Sequence, residues 1–273
     1  MTAKLEWLGT RAVMCFAVLS IVIPLLVIAT TALEPAGSVN TGLSWPVHPH
    51  WGNFVSAWSV AGFSSLMRSS AIICVAVVPV GVILATCAGY AFGTIEFPGK
   101  RVIFALLMVG LAVPYEAIVI ALYYNLKAVG LTNTYLSVIL PLVGAFMPFG
   151  AYWMRNQFAG MPVPVIEAAR MDGASSWKIL WRILLPNARP AVATLAVLYF
   201  MWSWNQFLLV LIMIQDPARQ TAPLGLALFV GQYTTNVPLL AAGTVIVIAP
   251  VLIVYALFQR QFIAGLARGA LKE

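Results

Sequence analysis

Six long apolar runs, separated by shorter polar segments, form the main pattern of this sequence. The runs cover residues 12–32, 69–92, 102–124, 135–154, 190–214 and 239–262. Each run reaches the roughly 20 residues that an α-helix needs to cross a bilayer core. In lipid the backbone must satisfy its own hydrogen bonds, so such a segment is helical. The pattern predicts an all-α polytopic membrane protein with six transmembrane helices.

The first run raises the question of whether it is removed as a signal peptide. Residues 12–32 follow Lys4 and Arg11, as the apolar region of a signal peptide follows basic residues. The run is longer than the roughly 7–15 apolar residues of a signal peptide, and further spans follow it. We therefore expect a short N-terminus at 1–11, a retained first helix at 12–32 and an external segment at 33–68.

A stretch of mixed polar and apolar residues interrupts the pattern between the fourth and fifth runs. Residues 167–186 read EAARMDGASSWKILWRILLP. Two prolines precede the stretch, in positions suited to the first turn of a helix. We expect Gly173 to end this helix, because glycine adopts the left-handed conformation of a cap at little cost. Ser175 or Ser176 then caps a second helix. The sequence predicts two short helices with a bend between them, between transmembrane helices 4 and 5.

The spacing of side chains makes this bend amphipathic. Glu167 and Arg170 lie three residues apart, so they can pair on one face. The second helix has an apolar face formed by four residues at helical spacing, which are Trp177, Leu180, Trp181 and Leu184. This arrangement is typical of a segment that lies at a membrane surface.

Composition excludes an ordinary soluble domain. The chain is 62% hydrophobic and 8% charged, with a mean hydropathy of +0.95, whereas a soluble domain has roughly a quarter charged residues. The net charge of +7 does not indicate a nucleic-acid partner, because basic residues in membrane proteins mark the cytoplasmic side. Cys15, Cys74 and Cys87 lie within apolar runs, at spacings that suit neither zinc nor a disulfide framework. We expect the lipid bilayer as the surrounding medium.

The distribution of basic residues predicts the orientation of the chain. If the N-terminus is cytoplasmic, the outer segments hold only Arg68, Lys127 and Arg219 of the 15 basic residues. By the positive-inside rule, both termini then face the cytoplasm. The tail at 263–273 and the segment at 155–189, which contains the bend, are predicted to be cytoplasmic as well.

The bend carries a resemblance to a known family. Seven positions match the "EAA" signature of ABC-importer membrane subunits, in which EAA is followed by three residues, Gly, nine residues and I-x-L-P: Glu167, Ala168, Ala169, Gly173, Ile183, Leu185 and Pro186. From about Arg68 onward the chain resembles carbohydrate-importer permeases of the maltose and glycerol-phosphate type. Further matching segments are 97–101, 131–135, 204–205 and 265–272. The resemblance implies a five-helix permease core at 69–262.

The resemblance also implies a role for the bend and a set of partners. In such proteins the bend is a coupling helix that docks into a groove of an ATP-hydrolysing subunit, and Asp172 belongs to the docking segment. The expected partners are two ATP-binding subunits, a second permease that is usually a different chain, and an external solute-binding protein, in the bacterial cytoplasmic membrane. This chain is then not an enzyme and has no cofactor of its own, since ATP and Mg²⁺ are bound by partner subunits. As an alternative, Glu167 is simply a surface carboxylate paired with Arg170.

A nucleotide site within this chain is not expected. The joint at 93–101 superficially resembles a phosphate-binding loop. However, five residues instead of four separate Gly93 from Gly99, and Arg101 replaces the Ser or Thr that such a loop requires. ATP hydrolysis is therefore expected in another chain.

Two places within the apolar runs are candidates for the solute pathway. Glu116 is the only acidic residue well inside a predicted span, where a carboxylate is costly and suggests function. It lines the pathway, or it faces water near the outer end or pairs with the second permease. Trp204 and Asn205 offer an aromatic face and an amide to a sugar, or they are ordinary packing with the amide satisfied by a neighbouring helix. Family members often have an acidic residue after this pair, where the present chain has Gln206.

Three functions compete on these observations. The leading one is the permease subunit of an ATP-driven ABC importer for a sugar or sugar-like solute. An ion-coupled secondary transporter would need coupling carboxylates in the membrane, for which only Glu116 qualifies, and it would leave the EAA bend without a role. A membrane-embedded enzyme is not supported, since the sequence contains no HExxH and no GxSxG motif.

Overall fold

The structure is a computed structural model that describes residues 2–35, 37–38, 42–231 and 235–270, with the side chains of all of these except 2–6, 8 and 264–270. Over this part of the chain it is helical, with an isolated β-bridge between Val230 and Thr235 and no longer strand. The predicted all-α class is confirmed. The matching segment at 265–272 lies outside the residues whose side chains are described.

Thirteen helices form the described part of the chain. They are α1 Thr2–Thr31, α2 Gly52–Ala61, α3 Phe63–Thr94, α4 Lys100–Ala112, α5 Tyr115–Ala128, α6 Leu136–Ala159, α7 Val163–Met171, α8 Ser176–Ile179, α9 Leu185–Asn187, α10 Arg189–Trp204, α11 Leu208–Met213, α12 Ala222–Gly225 and α13 Val237–Ala270. A π-helical turn covers Leu180–Leu184, and 3₁₀ turns cover Pro217–Arg219 and Leu226–Phe229.

Among the described residues, four continuous helices are long and apolar enough to cross a membrane. These spans are Gly9–Thr31, Phe63–Thr94, Leu136–Ala159 and Val237–Ile263. Two bent pairs of helices also pass this test: α4 with α5, at 99°, and Ser176–Asn187 with α10, at 83°. If each bent pair is counted as one span, the described part of the chain has up to six, the number that the apolar runs predict. The second pair begins at Ser176, however, and so does not coincide with the predicted run at 190–214. The second helix begins at Phe63, earlier than the expected start at residue 69.

The third and fifth predicted spans are not single continuous helices, which corrects the prediction of one helix for each apolar run. The run at 102–124 breaks between α4 and α5, where Val113 has an extended backbone (φ −80°, ψ 113°). A proline disfavours the α conformation of the residue before it, and Pro114 follows Val113. The run at 190–214 likewise divides, because α10 ends at Trp204 and α11 begins at Leu208.

The described chain forms two compact units, of which the first comprises residues 1–64 and 224–250. Within it, the buried side chain of Asn53 donates hydrogen bonds to the carbonyl oxygens of Ala32 (2.9 Å) and Glu34 (2.7 Å). The Glu34 carboxylate accepts a hydrogen bond from the Ser44 hydroxyl (2.6 Å). The polar segment that follows α1 is therefore held against the start of α2 by buried hydrogen bonds.

The second unit comprises residues 65–223 and 251–273, and its core depends on small residues in α3. Gly81, Ala85, Gly89 and Gly93 recur every four residues and form one stripe along the helix. A Cβ atom at Gly89 would lie 2.7 Å from the backbone nitrogen of Arg155 in α6. Backbones that approach this closely need small residues at the contact, as in other membrane helix pairs.

Helix α10 joins the same core through one tyrosine. Tyr199 is fully buried, and its hydroxyl donates a hydrogen bond to the carbonyl oxygen of Phe146 in α6 (2.7 Å). The indole N–H of Trp153 in α6 donates to the carbonyl oxygen of Ala191 in α10 (2.9 Å). Two hydrogen bonds from side chain to backbone therefore link α6 and α10.

At the other end of α6, Asn133 ties the α5–α6 connection to the segment after α11. Asn133 has a positive φ of 60°, which asparagine tolerates better than most residues. Its side-chain oxygen accepts hydrogen bonds from the backbone N–H groups of Gln215 (3.2 Å) and Asp216 (2.9 Å). Its carbonyl oxygen accepts one from Arg219 (2.6 Å). This gives a structural reason for the asparagine in the matching segment at 131–135.

The close contact at Gly89 predicts a large effect of added volume. Gly89→Val should lower the free energy of unfolding by about 1–3 kcal/mol, because overpacking forces the α3 and α6 backbones apart. Gly144→Val is the matched control, since a Cβ at Gly144 in α6 meets no atom within 4 Å. Thermal unfolding of the detergent-solubilised full chain checks this, and equal melting temperatures for the two variants would contradict the packing described.

Candidate functional site

The bend between α6 and α10 begins with two prolines. Pro162 has an extended backbone (φ −61°, ψ 121°) and precedes α7, and Pro164 occupies the second position of α7. Proline is well suited there, because the first N–H groups of a helix have no partner within it. Chain direction therefore changes at residues 160–162, directly after α6.

Helix α7 buries one face and exposes the other. Ile166 and Ala169 are buried, three residues apart. Glu167 and Ala168 point outward, and Met171 is 88% exposed. Met171 was not predicted to be functional, because it occupies one of the three unspecified positions between EAA and the glycine of the motif. An apolar side chain this exposed, on a charged surface outside the spans, marks a candidate contact for a protein partner.

The possible ion pair between Glu167 and Arg170 is not formed, which counts against the alternative that Glu167 is simply a paired surface carboxylate. Among the described residues, the two ion pairs join Glu96 to Lys100 and Asp216 to Arg219. Exposed pairs gain little Coulomb energy in water and restrict two long side chains. Glu167 is therefore not held by Arg170 in this structure.

Gly173 ends α7 in the predicted way. Its φ is 72°, and the N–H of Ala174 donates to the carbonyl oxygen of Ala169 (3.0 Å) while the N–H of Gly173 donates to that of Arg170 (3.0 Å). These two bonds are the Schellman pattern of a helix C-terminus. Asp172 is the exposed residue before the turn. A Cβ at Gly173 would meet no atom within 4 Å, so a side chain there would extend outward from the bend.

The second half of the bend starts at a serine cap and passes through a π-helical turn. The Ser175 side chain accepts a hydrogen bond from the backbone N–H of Lys178 (3.3 Å), so Ser175, and not Ser176, is the cap. Residues Leu180–Leu184 then form the π turn. Pro186 has no N–H, and in an α-helix its ring would press on the carbonyl of Arg182. A wider turn before the proline relieves this contact.

The buried residues of this half of the bend differ from the predicted apolar face, which corrects that expectation. Leu180 and Leu184 are buried as predicted, together with Ile179. Trp177, however, is 63% exposed, and Trp181 is half-buried with its ring edge-to-face against Trp177 (5.6 Å between centroids). The remaining motif positions differ in exposure: Ile183 and Leu185 are half-buried and Pro186 is exposed.

The candidate pathway residues differ in exposure. Glu116 is exposed in the first turn of α5, directly after the break at Pro114, where a carboxylate interacts favourably with the positive end of a helix. Trp204 is buried, with its ring 5.6 Å from that of Phe200. Asn205 is exposed, and its amide donates to the carbonyl oxygen of Met201 in its own helix (2.7 Å). An N–H of this amide is therefore satisfied within its own helix, whereas the packing alternative has a neighbouring helix as the partner.

The structure brings the two pathway candidates together through residues that sequence analysis did not connect. The hydroxyl of Tyr115 donates a hydrogen bond to the side-chain oxygen of Gln206 (3.2 Å). Tyr115 precedes Glu116 and Gln206 follows Asn205, so the start of α5 lies beside the end of α10. A separation of 91 residues gives no local pattern from which this contact follows.

A family model described as "Binding-protein-dependent transport system inner membrane component" matches residues 78–266, which include the bend and both pathway candidates. The chain belongs to this family. It is therefore a membrane permease component of a transport system, and the alternative of an ion-coupled secondary transporter is not favoured.

Similar proteins agree with this assignment. The permease is 32% identical to the arabinooligosaccharides transport system permease protein AraQ of Halalkalibacterium halodurans, over 98% of this chain and 97% of that protein. It is 30% identical to the trehalose transport system permease protein SugB of Mycobacterium tuberculosis, over 97% of this chain and all of that protein. Its fold matches a chain of a bacterial ABC transporter involved in alginate import, with a TM-score of 0.82 at 22% identity, over 96% and 98% of the two chains.

The serine cap yields a prediction with a matched control. Ser175→Ala should raise amide hydrogen exchange across residues 176–185 about fivefold, because loss of a cap costs about 1 kcal/mol. Ser176→Ala should leave exchange unchanged, since its hydroxyl does not cap the helix. Hydrogen-exchange mass spectrometry on the full permease measures both, and equal exchange in the two variants would contradict the assignment of the cap.

Proposed function

We propose that this permease forms, with a second permease, the membrane pathway of a sugar importer, and that ATP-hydrolysing subunits drive it through the bend at 163–187. The observation that carries the proposal is the attachment of the bend at both ends. Helix α6 leads into the bend and α10 leads out of it, and Tyr199 links these helices by its hydrogen bond to Phe146. A displacement of the bend would therefore reach the spans instead of being absorbed in a loop.

The exposed surface of the bend suits a protein partner. Met171 and Trp177 are apolar and exposed, and Lys178 and Arg182 lie beside Trp177 around an open depression of about 450 Å³. Interfaces commonly combine aromatic and Met anchors with a charged rim. Contact with the ATPase is assigned to the outward-facing motif residues, which are Glu167, Ala168, Asp172, Gly173 and Pro186.

The other motif residues hold the shape of the bend. Ala169 is buried against the body of the protein, while Ile183 and Leu185 are half-buried on either side of Leu184. Closure of two ATP-binding subunits on ATP and Mg²⁺ would move the bend as one body and switch the spans from inward-open to outward-open. Binding energy at a remote site thus biases a two-state element. This chain supplies contact and no chemistry.

The solute is proposed to be a sugar or oligosaccharide. Relatives that are at least 30% identical over nearly the whole chain are named for arabinooligosaccharide and trehalose transport. Glu116 and Asn205 are exposed polar residues, each next in sequence to one partner of the Tyr115–Gln206 hydrogen bond. A carboxylate and amides are suitable partners for sugar hydroxyl groups. Trp204 is buried, so its proposed role is to hold the neighbouring Asn205 in position by packing in the protein interior.

The remaining partners and the orientation follow from charge and topology. All but three of the 15 basic residues lie on the side of the N-terminus, which supports a cytoplasmic location for both termini and the bend. The opposite side would then face an external solute-binding protein. This side includes Asn133 and the segment after α11 to which it is hydrogen-bonded. Six spans enclose little space, which favours a second permease, usually a different chain.

Reconstitution tests the proposed function. The permease alone in proteoliposomes should transport no sugar, whereas the complete set with its second permease, ATP-binding subunits and binding protein should do so only with ATP. Sugar uptake by this chain alone, or uptake by the complete set without ATP, would contradict the proposal.

Substitution of Met171 tests the proposed docking surface. Met171→Glu should weaken binding of the ATP-binding subunit at least about tenfold, because an interface then has to desolvate an unpaired charge. Val129→Glu is the matched control, since Val129 is also exposed but follows α5, in a segment predicted to be external. Binding to each variant in nanodiscs measures this, and equal affinities would contradict docking at this surface.

A further inference from the structure

A second cavity lies where α3 ends, α4 begins and the last turns of α6 pass. Its volume is about 650 Å³, and the residues that matter here are Phe92, Glu96, Lys100, Arg101, Phe104 and Arg155. Three cationic side chains and three aromatic rings, with Phe97 as the third ring, therefore surround one cavity at the ends of apolar helices. Neither the pathway candidates nor the bend include any of these residues.

The cavity has an excess of positive charge. The positive charge of Lys100 is compensated, because its ammonium group forms an ion pair with the carboxylate of Glu96 (2.8 Å). This hydrogen bond and the positive charge of Lys100 lower the pKa of Glu96, and the charge of Arg101 adds to the effect. Arg101 and Arg155 form no ion pair with any acidic residue in the described part of the chain. With three cations against one carboxylate, the cavity keeps a net charge of +2 for a ligand.

The two arginines are presented differently. Arg155 is half-buried, with its guanidinium group over the ring of Phe104 (4.5 Å to the centroid). This cation–π contact orients the planar group and leaves its edge for hydrogen bonding. Arg101 is exposed at the start of α4, a helix of 13 residues whose first N–H groups face the same end. Both features favour a phosphate group as the ligand.

The surface beside the cavity is apolar. Along α4, Val102, Leu106 and Val109 are exposed, and this helix has no buried residue. An anion dissolved in water would gain nothing from such a surface, but the acyl chains of a lipid would. Basic pockets between membrane helices are known to bind lipid head groups.

We propose that this cavity binds the phosphate of an anionic phospholipid, with Arg101 and Arg155 as its ligands and the acyl chains lying along α4. By the distribution of basic residues, the lipid belongs to the cytoplasmic leaflet. Free inorganic phosphate has the same chemistry but lacks the chains. The lipid would fill the space between α3, α4 and α6, and so support the helix that leads into the bend.

Lipid retention by the full permease tests this site. The chain is purified from nanodiscs of phosphatidylcholine with a minor fraction of phosphatidylglycerol, and native mass spectrometry counts the bound phosphatidylglycerol. Arg101→Gln should weaken its binding about fivefold, and Arg101→Gln with Arg155→Gln about thirtyfold, from the usual contribution of one basic residue near a lipid surface. Arg260→Gln removes a charge on the same predicted side, outside the cavity, and should change nothing.

The outcomes separate the lipid from other occupants. Equal retention of phosphatidylglycerol by all variants would overturn the proposal. So would displacement of the lipid by millimolar inorganic phosphate, which would indicate a site for free anions. Loss of the lipid from the assembled importer, but not from the permease alone, would show that a partner subunit covers the cavity instead. If the double variant fails to fold, retention of phosphatidylglycerol by the Arg101→Gln variant decides, because Arg101 is exposed. Arg155→Lys then tests whether lipid binding requires the guanidinium group that lies over Phe104.

Discussion

Close approach of the α3 and α6 backbones is the contact on which the second unit depends. The approach requires glycine at residue 89, because a Cβ there would overlap Met154 and the backbone of Arg155. It continues at Gly150, where a Cβ would lie 2.6 Å from that of Ala85, and Tyr199 of α10 is buried beside this contact. Interiors packed without voids transmit displacement instead of absorbing it. The three helices therefore form a stiff support for everything attached to them.

Two functional surfaces are attached to this support. The bend follows α6 after three residues and leads into α10 through the turn at Ala188, so both of its ends are fixed. Its own shape is set by backbone chemistry, since Gly173 allows the left-handed turn and Pro186 accompanies a π turn. The basic cavity also uses α6, because Arg155 is the residue whose backbone Gly89 touches. A single packed contact thus positions the docking surface and the lipid site.

Sequence patterns predicted the features that depend on local chemistry. Apolar runs of sufficient length located the spans, and Gly173 was recognised as a cap because few other residues adopt its φ without strain. Features that depend on tertiary contact were missed. The pairing of Tyr115 with Gln206 joins distant segments, and the π turn at Leu180–Leu184 breaks the 3.6-residue period on which the predicted face rests. Small residues every four positions indicate close packing of membrane helices, which apolar periodicity does not capture. This pattern is present at Gly81, Ala85, Gly89 and Gly93.

The central claim is that the bend and helix α6 move as one body during transport. Spin labels at Ala145 in α6 and Val165 in the bend, both exposed and both outside the proposed docking residues, report on this directly once the three native cysteines are replaced. In the assembled importer, the distance between the labels should stay the same to within about 2 Å, the scale of a small helix adjustment, when ATP and binding protein are added. A change of more than about 5 Å, the scale of a one-turn helix shift, would show that the bend moves independently of α6 and would contradict the proposed coupling.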